Sequence, residues 1–164
     1  MSLVETGYLE YQELAEKQKL PSEERFMKGP VAVIECVQEI PCNPCERACK
    51  FGAIEIGQPI TKLPHLIEEK CVGCGVCVSR CPGLAIFILN KNYSENTGTV
   101  AFPYEYYPTP EVGEEREAVN RRGEVICTGE IIKVMNPQSF DYTPVVTIEI
   151  PREFTDEVRS IKRR

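Results

Sequence analysis

The chain of 164 residues has no tryptophan, three methionines and a single histidine, His65. No nucleophile or paired carboxylates can be argued around that one imidazole, so the sequence offers no acid–base constellation to start from. No GxGxxG follows a strand and no GxxxxGK[ST] is present, which removes any sequence signal for a nucleotide or flavin site. Long apolar runs are missing too. The longest strongly apolar stretch is AIFIL at 85–89, against the roughly 20 residues a membrane-spanning helix needs. The acidic opening MSLVETGYLE has no signal-peptide shape. These absences predict a soluble, cytoplasmic chain without a transmembrane segment. Positive charge is also scarce. Nineteen Lys and Arg face 25 Asp and Glu, giving a net charge of -6. Residues 1–30, 31–90 and 91–164 are each acidic overall, so no stretch carries the concentrated basic field that a nucleic-acid backbone requires.

Cysteine is what the chain has in excess: nine residues, eight of them between Cys36 and Cys81. Neighbouring cysteines in CVGCGVC (71–77) are badly placed to pair with one another, and a cytoplasm keeps such thiols reduced. Metal binding is the leading explanation. The cysteines also repeat. Cys42, Cys45 and Cys49 recur 32 residues on as Cys74, Cys77 and Cys81, and Ala53-Ile54 recurs as Ala85-Ile86 at the same offset.

Each copy reads as an extended stretch, a cysteine loop, a short helix and a strand. In the first copy these are VAVIECV (31–37), the loop through Cys45, ERACKFG (46–52) and AIEIG (53–57). In the second they are ITKLPHLI (60–67), the loop 71–77, VSRCPGL (78–84) and AIFILN (85–90). Residues 1–30 form a helical arm, with Tyr8, Tyr11 and Ala15 on one face, Leu14 beside it and a stop at Pro21, followed by a helical stretch SEERFMK (22–28). Residues 91–164 read as strands at 99–108, 116–120, 124–135 and 144–150. The turn NRRGE (120–124) joins two of them, and Gly129 marks a bulge or bend. A helix is predicted over PREFTDEVRSIK (151–162), with the basic tail Arg159, Lys162, Arg163 and Arg164 as its solvated end. The expectation is an α+β chain in three parts: the arm 1–30, a pseudo-symmetric core 31–90, and a small β-barrel or meander with a terminal helix, 91–164.

Cys71-x2-Cys74-x2-Cys77-x3-Cys81-Pro82 is the bacterial 4Fe-4S run. Three thiolates within seven residues let one loop wrap a cubic cluster, and Gly73 and Gly75 tolerate the backbone angles this wrapping demands. The fourth cysteine points at the other cluster, which is why the motif comes in pairs. The first copy departs from this pattern: Glu39 stands where the offset would place a cysteine, Lys50 replaces the proline, and an extra cysteine, Cys36, lies three residues upstream of Glu39. The longer loop containing Ile40 and Pro41 can bring Cys36 back to the missing corner. The resulting assignment is cluster A on Cys36, Cys42, Cys45 and Cys81, and cluster B on Cys71, Cys74, Cys77 and Cys49. Two alternatives stay open: structural zinc on paired C-x2-C knuckles, and a three-iron or labile cluster A with Cys36 only a buried strand residue. Cys127, remote from this set, reads as a core or surface thiol.

Across residues 30–90 the chain resembles a dicluster bacterial-type ferredoxin domain. That resemblance implies a β-α-β-β-α-β core, two 4Fe-4S clusters and one-electron transfer. More narrowly, GPVAVIECVQEIPCNPCERACKFGAI (29–54), NRRGEVICTGEIIKV and TPVVTIEIP resemble the ferredoxin-like small subunits of FAD-dependent amino-acid dehydrogenases of the proline or hydroxyproline type. This implies a flavoprotein partner and a hetero-oligomer, in which the chain passes electrons to an acceptor and has no turnover alone. The competing expectations are a free, diffusible ferredoxin and a non-redox metal-binding interaction module. Tyr8, Tyr11, Tyr93, Tyr104, Tyr106, Tyr107 and Tyr142 all lie in the flanks, where they either face a partner or fill the flanks' own core.

Overall fold

The computed structural model describes residues 3–164, beginning with an arm of three short helices: α1 (Leu3–Thr6), α2 (Tyr11–Glu16) and α3 (Glu23–Phe26). The expected apolar face is narrower than the sequence suggested. Leu14 is fully buried, Ala15 is exposed and Tyr8 lies outside α2. A helix of fewer than two turns sends only one row of side chains inward, and it ends well before Pro21, with Gln18 already in a left-handed conformation. Ser22 caps α3 by accepting from the Arg25 N–H, with Glu23 and Glu24 in the first turn, where the helix dipole favours carboxylates. The helix delivers Phe26 into the core.

Residues 31–90 run in the order β1 (Val31–Ile34), α4 (Pro44–Ala48), β2 (Ile54–Glu55), β3 (His65–Leu66), α5 (Val76–Arg80) and β4 (Ile86–Asn90). β1 and β4 pair antiparallel, with Val31 opposite Leu89 and Ile34 opposite Ile86. Neither side of this pair meets water. Val31, Val33, Phe87 and Leu89 enter one core, while Ala32, Ile34, Ile86 and Ile88 enter a second that also holds the cysteines. Successive side chains of a strand point to opposite faces, so a strand covered on both sides reads as an unbroken apolar run such as VAVI. β2 and β3 form a separate two-stranded pair, and α4 packs against α5.

β5 (Thr97–Pro103), β6 (Glu115–Val119), β7 (Val125–Met135), β8 (Val145–Pro151) and β9 (Ser160–Ile161) join the same large sheet, in the order β1-β4-β5-β8-β7-β6-β9. Every pairing is antiparallel, and the β4–β5 register sets Ile88 against Ala101. The architecture is thus mixed, a large antiparallel sheet with few helices. No helix among the described residues is long and apolar enough to cross a membrane. Gly129 serves close approach: a Cβ there would lie 2.2 Å from the Glu149 carbonyl oxygen. The irregularities in β7 fall instead between Val125 and Cys127, against β6, and between Ile131 and Lys133, against β8.

The terminal helix expected over 151–162 is absent. The segment makes a 3-10 turn at Arg152–Phe154 and then the short strand β9, which sets Ile161 opposite Ala118 of β6. Arg159 and Lys162 donate their backbone N–H groups to Val119 and Glu117, satisfying an edge that would otherwise be unpaired. β-branched Thr155, Val158 and Ile161 are all buried, and this tertiary packing outweighs the local helical signal.

Arg159 is likewise not a solvated helix end. Its Nε donates to Glu35 Oε1 at 2.6 Å, and Arg121 grips the same carboxylate with Nη2 at 2.7 Å and Nε at 2.9 Å. All three side chains are less than 10% exposed. Burial pushes the Glu35 carboxyl upward, but the two guanidiniums outweigh it and hold the group below the usual carboxylate range. Removing this carboxylate strands the buried Arg159 and leaves Arg121 with Glu157 as its only carboxylate, at the longer distance of 3.4 Å. Glu35→Gln is therefore expected to cost about 3–5 kcal/mol in chemical denaturation, with partial recovery when Arg159→Met is added. A loss under about 1 kcal/mol would mean that this knot is not a main support of the fold.

Candidate metal centres

Eight cysteines line two separate cavities on the same face of the sheet. Cys36, Cys42, Cys45 and Cys81 border the first, with Ile34, Ile56 and Ile86 among its walls. Cys49, Cys71, Cys74 and Cys77 border the second, with Ala32, Ile54 and Ile88. Cys49 and Cys81 cross over: each follows the helix of one repeat and faces the cavity of the other repeat's cysteine loop. α4 and α5 produce the crossing, because each ends at its last cysteine, Cys49 or Cys81, and the two helices lie against each other.

Neither cavity wall contains a carboxylate or imidazole. A donor set of thiols alone, in apolar surroundings, suits soft-metal and iron-sulfur chemistry. Backbone amides are aimed at the sulfurs: Ala53 N–H donates to Cys49 Sγ at 3.3 Å, and at the repeat-related position Ala85 N–H donates to Cys81 Sγ at 3.4 Å. Ala32 N–H, from β1, reaches Cys71 Sγ at 3.4 Å. Such bonds favour the thiolate over the thiol.

The loop glycines follow from this geometry. Gly73 has a positive φ, and a Cβ there would lie 2.6–2.8 Å from Pro30 atoms, so the cysteine loop presses directly on the entry to β1. Gly75, also at positive φ, is the residue from which α5 starts. Burial pushes the Cys45 thiol up to about 11, with Cys81 adding to the rise. Cys77 is pushed up further by burial and by its neighbours Cys71, Cys74 and Cys49. As free thiols these groups resist ionisation, so a bound cationic core must supply the charge that makes them thiolates. Among the described residues, no three His, Cys, Asp or Glu side chains are arranged around a single-ion site.

Cys127 is not brought to either cavity. It sits in β7 opposite Ala118, against the other core, where burial raises its thiol. His65 is exposed in β3. Sequence reasoning missed Arg25, which reaches from α3 to the carbonyl of Cys71 at 2.6 Å. The only available hint was that it is the sole arginine in the arm.

A family described as 4Fe-4S binding domain matches residues 64–87. The chain is 34% identical over 104 residues to a translation initiation factor, RLI1, of Saccharomyces cerevisiae, covering 54% of this chain and 16% of that protein. It is 35% identical over 75 residues to an uncharacterized ferredoxin of Methanocaldococcus jannaschii, covering 44% of this chain and 46% of the other. Over 48 residues it is 44% identical to the polyferredoxin-like subunit of an aliphatic sulfonate oxidoreductase of Pyrococcus furiosus, covering 29% and 27% of the two chains. It spans less than a fifth of the length of the long curated relatives that it matches over more than half of its own. No solved structure matches it. The chain carries an iron-sulfur domain of the 4Fe-4S ferredoxin type, and its nine cysteines are compatible with two clusters.

Proposed function

We propose that Cys36, Cys42, Cys45 and Cys81 ligate one 4Fe-4S cluster and Cys49, Cys71, Cys74 and Cys77 the other, and that the chain serves as the electron-transfer subunit of a flavoprotein dehydrogenase. The observation that carries this reading is the sorting of eight thiols into two cavities of four, one thiol crossing over in each direction. Such clusters, when bound, supply one-electron transfer. The chain itself holds the thiols in place, aims amide N–H groups at sulfur and lines the sites with isoleucine and alanine, which keeps the dielectric low. Paired zinc knuckles would leave the third cysteine at x2 and the fourth at x3 before Pro82 unexplained.

Relatives named as oxidoreductase subunits support an electron-transfer role. The FAD-dependent partner rests on the resemblance at 29–54 and in the tail, and exposed aromatics support a docked subunit in a hetero-oligomer. Tyr107 is 89% exposed and Tyr142 87%, close to the half-exposed Tyr106. Tyrosines left in water are candidates for burial against a partner. A cytoplasmic location fits reduced thiols. A free ferredoxin is the second reading, favoured by the match to a protein named as one.

Three outcomes are expected. Anaerobically purified protein should hold about eight iron atoms and as many acid-labile sulfides; stoichiometric zinc without sulfide would end the redox reading. Cys36→Ala should lose or convert one cluster, seen as a drop in iron and a changed paramagnetic resonance spectrum, while Cys127→Ala keeps both. An unaltered Cys36→Ala spectrum would return Cys36 to a packing role. Tyr107→Ala with Tyr142→Ala should retain full iron but reduce co-purification of a flavin-containing chain at least several-fold. If no flavoprotein accompanies even the unmodified chain, the diffusible carrier is the correct reading.

A further inference from the structure

Arg25 is a buried cation held by backbone carbonyls, with no carboxylate in direct contact although Glu68 is near enough to feel its charge. Its residue is only 8% exposed. The guanidinium donates to four backbone carbonyls: Nε to Glu68 at 2.9 Å, Nη1 to Gly29 at 3.2 Å, and Nη2 to Pro30 at 2.8 Å and Cys71 at 2.6 Å. Among the described residues no ion pair joins it to an acid. The nearby Glu68 carboxylate is held instead by the Ser22 N–H and hydroxyl. Carbonyl dipoles satisfy a guanidinium's hydrogen bonds, but they do not neutralise it, and Glu68, whose oxygens bond to Ser22, answers the charge without a direct contact.

The acceptors show what the guanidinium holds together. The same Nη2 bridges Pro30 and Cys71, joining the strand that donates Ala32 N–H to Cys71 Sγ and the loop whose Gly73 touches Pro30. The guanidinium is thus fixed at the backbone of one thiol of the second cavity. The first cavity has no guanidinium placed in this way: Lys62 is exposed, Arg121 and Arg159 share Glu35, and the half-buried cation beside Cys36 is Lys19, whose Nζ donates to the Pro64 carbonyl at 3.0 Å.

Building on the ligand assignment above, we propose that Arg25 is the positioning residue of the second centre, orienting Cys71 and supplying a fixed positive charge that makes this cluster easier to reduce than it would be without it. Four thiolates outweigh the positive charge of the iron-sulfur core, and reduction adds one more electron, so a nearby cation favours the reduced form.

The test is a redox titration of the full chain, holding both clusters, followed by paramagnetic resonance. Arg25→Gln should make one cluster harder to reduce by about tenfold in its equilibrium constant, about 59 mV for one electron, with a smaller change at the other. Arg25→Lys, which keeps the charge but loses the fork, should restore most of the native potential. An unshifted potential in Arg25→Gln with both clusters loaded overturns the proposal, as does an equal shift in both variants. If Arg25→Gln fails to load the second cluster, Arg25→Lys decides: loading at the native potential supports the proposal, and loss in both variants reduces Arg25 to a geometric clamp. Failure of the ligand assignment itself would show separately, as an unchanged iron content in Cys71→Ala.

Discussion

Strand β1 has no face to give to water, and covering both of its sides determines what the rest of the chain must do. Its odd-numbered side chains, Val31 and Val33, need a hydrophobic layer that residues 31–90 do not supply by themselves. That layer comes from Phe26 of the arm and from Val100, Phe102, Ile131, Ile148 and Ile150 of the later strands. Its even-numbered side chains, Ala32 and Ile34, face the cysteine layer, where Ile54, Ile56 and Val78 pack among the thiols. At about 25 cal/mol per Å² of apolar surface removed from water, the first face is where the hydrophobic stabilisation concentrates. The second face mixes hydrophobic packing with sulfur. The arm and the tail therefore close the back of the same strands whose front carries the chemistry, and the tyrosines divide accordingly. Tyr104 is 2% exposed and belongs to the core, while Tyr107 and Tyr142 stand in solvent.

The chemistry was far more legible in the sequence than the architecture around it. Cysteine spacing is a local code: a 32-residue offset and the x2-x2-x3 run identify which thiols belong together. The crossover of Cys49 and Cys81 follows because each sits at the end of a helix of five residues, too short to turn the cysteine back toward its own loop. The large sheet gave weaker signals. Strands at 99–108, 124–135 and 144–150 were readable from β-branched enrichment, with ends off by a few residues. Their order was not, since nothing local in β5 indicates that its next neighbour is β8 rather than β6.

PREFTDEVRSIK misled for a related reason. A proline at its start and charges at helical spacing favour a helix in isolation, but Val158 and Ile161 are needed in the core, and β6 needs a partner for its outer edge. Long-range pairing won over local preference. The arm failed in the opposite direction. Its helices were seen, yet their value lay in single residues, Leu14, Arg25 and Phe26, that periodicity over so few turns cannot distinguish from their neighbours.

The two repeats match at three cysteines each, and the two thiols that do not match, Cys36 and Cys71, are the ones that elements outside the repeats hold in place. Cys71 caps the 3-10 turn Glu68–Lys70 through its N–H, and Arg25 from the arm ties its carbonyl to Pro30. Cys36 lies just past the end of β1, away from the repeat position occupied by Glu39, and within its loop it meets the Gln38 backbone. Its neighbour Glu35 is gripped by Arg121 from the β6–β7 turn and by Arg159 from the tail. Both devices use guanidinium groups, whose planar fork reaches several acceptors at once and loses less side-chain freedom per bond than an ammonium. They differ in their acceptors. The Glu35 knot sets two guanidiniums on one carboxylate, with Glu157 also meeting Arg121 at 3.4 Å, whereas Arg25 donates only to backbone carbonyls. Two sites built from the same repeat are thus braced in different ways, and the difference originates in the flanking segments.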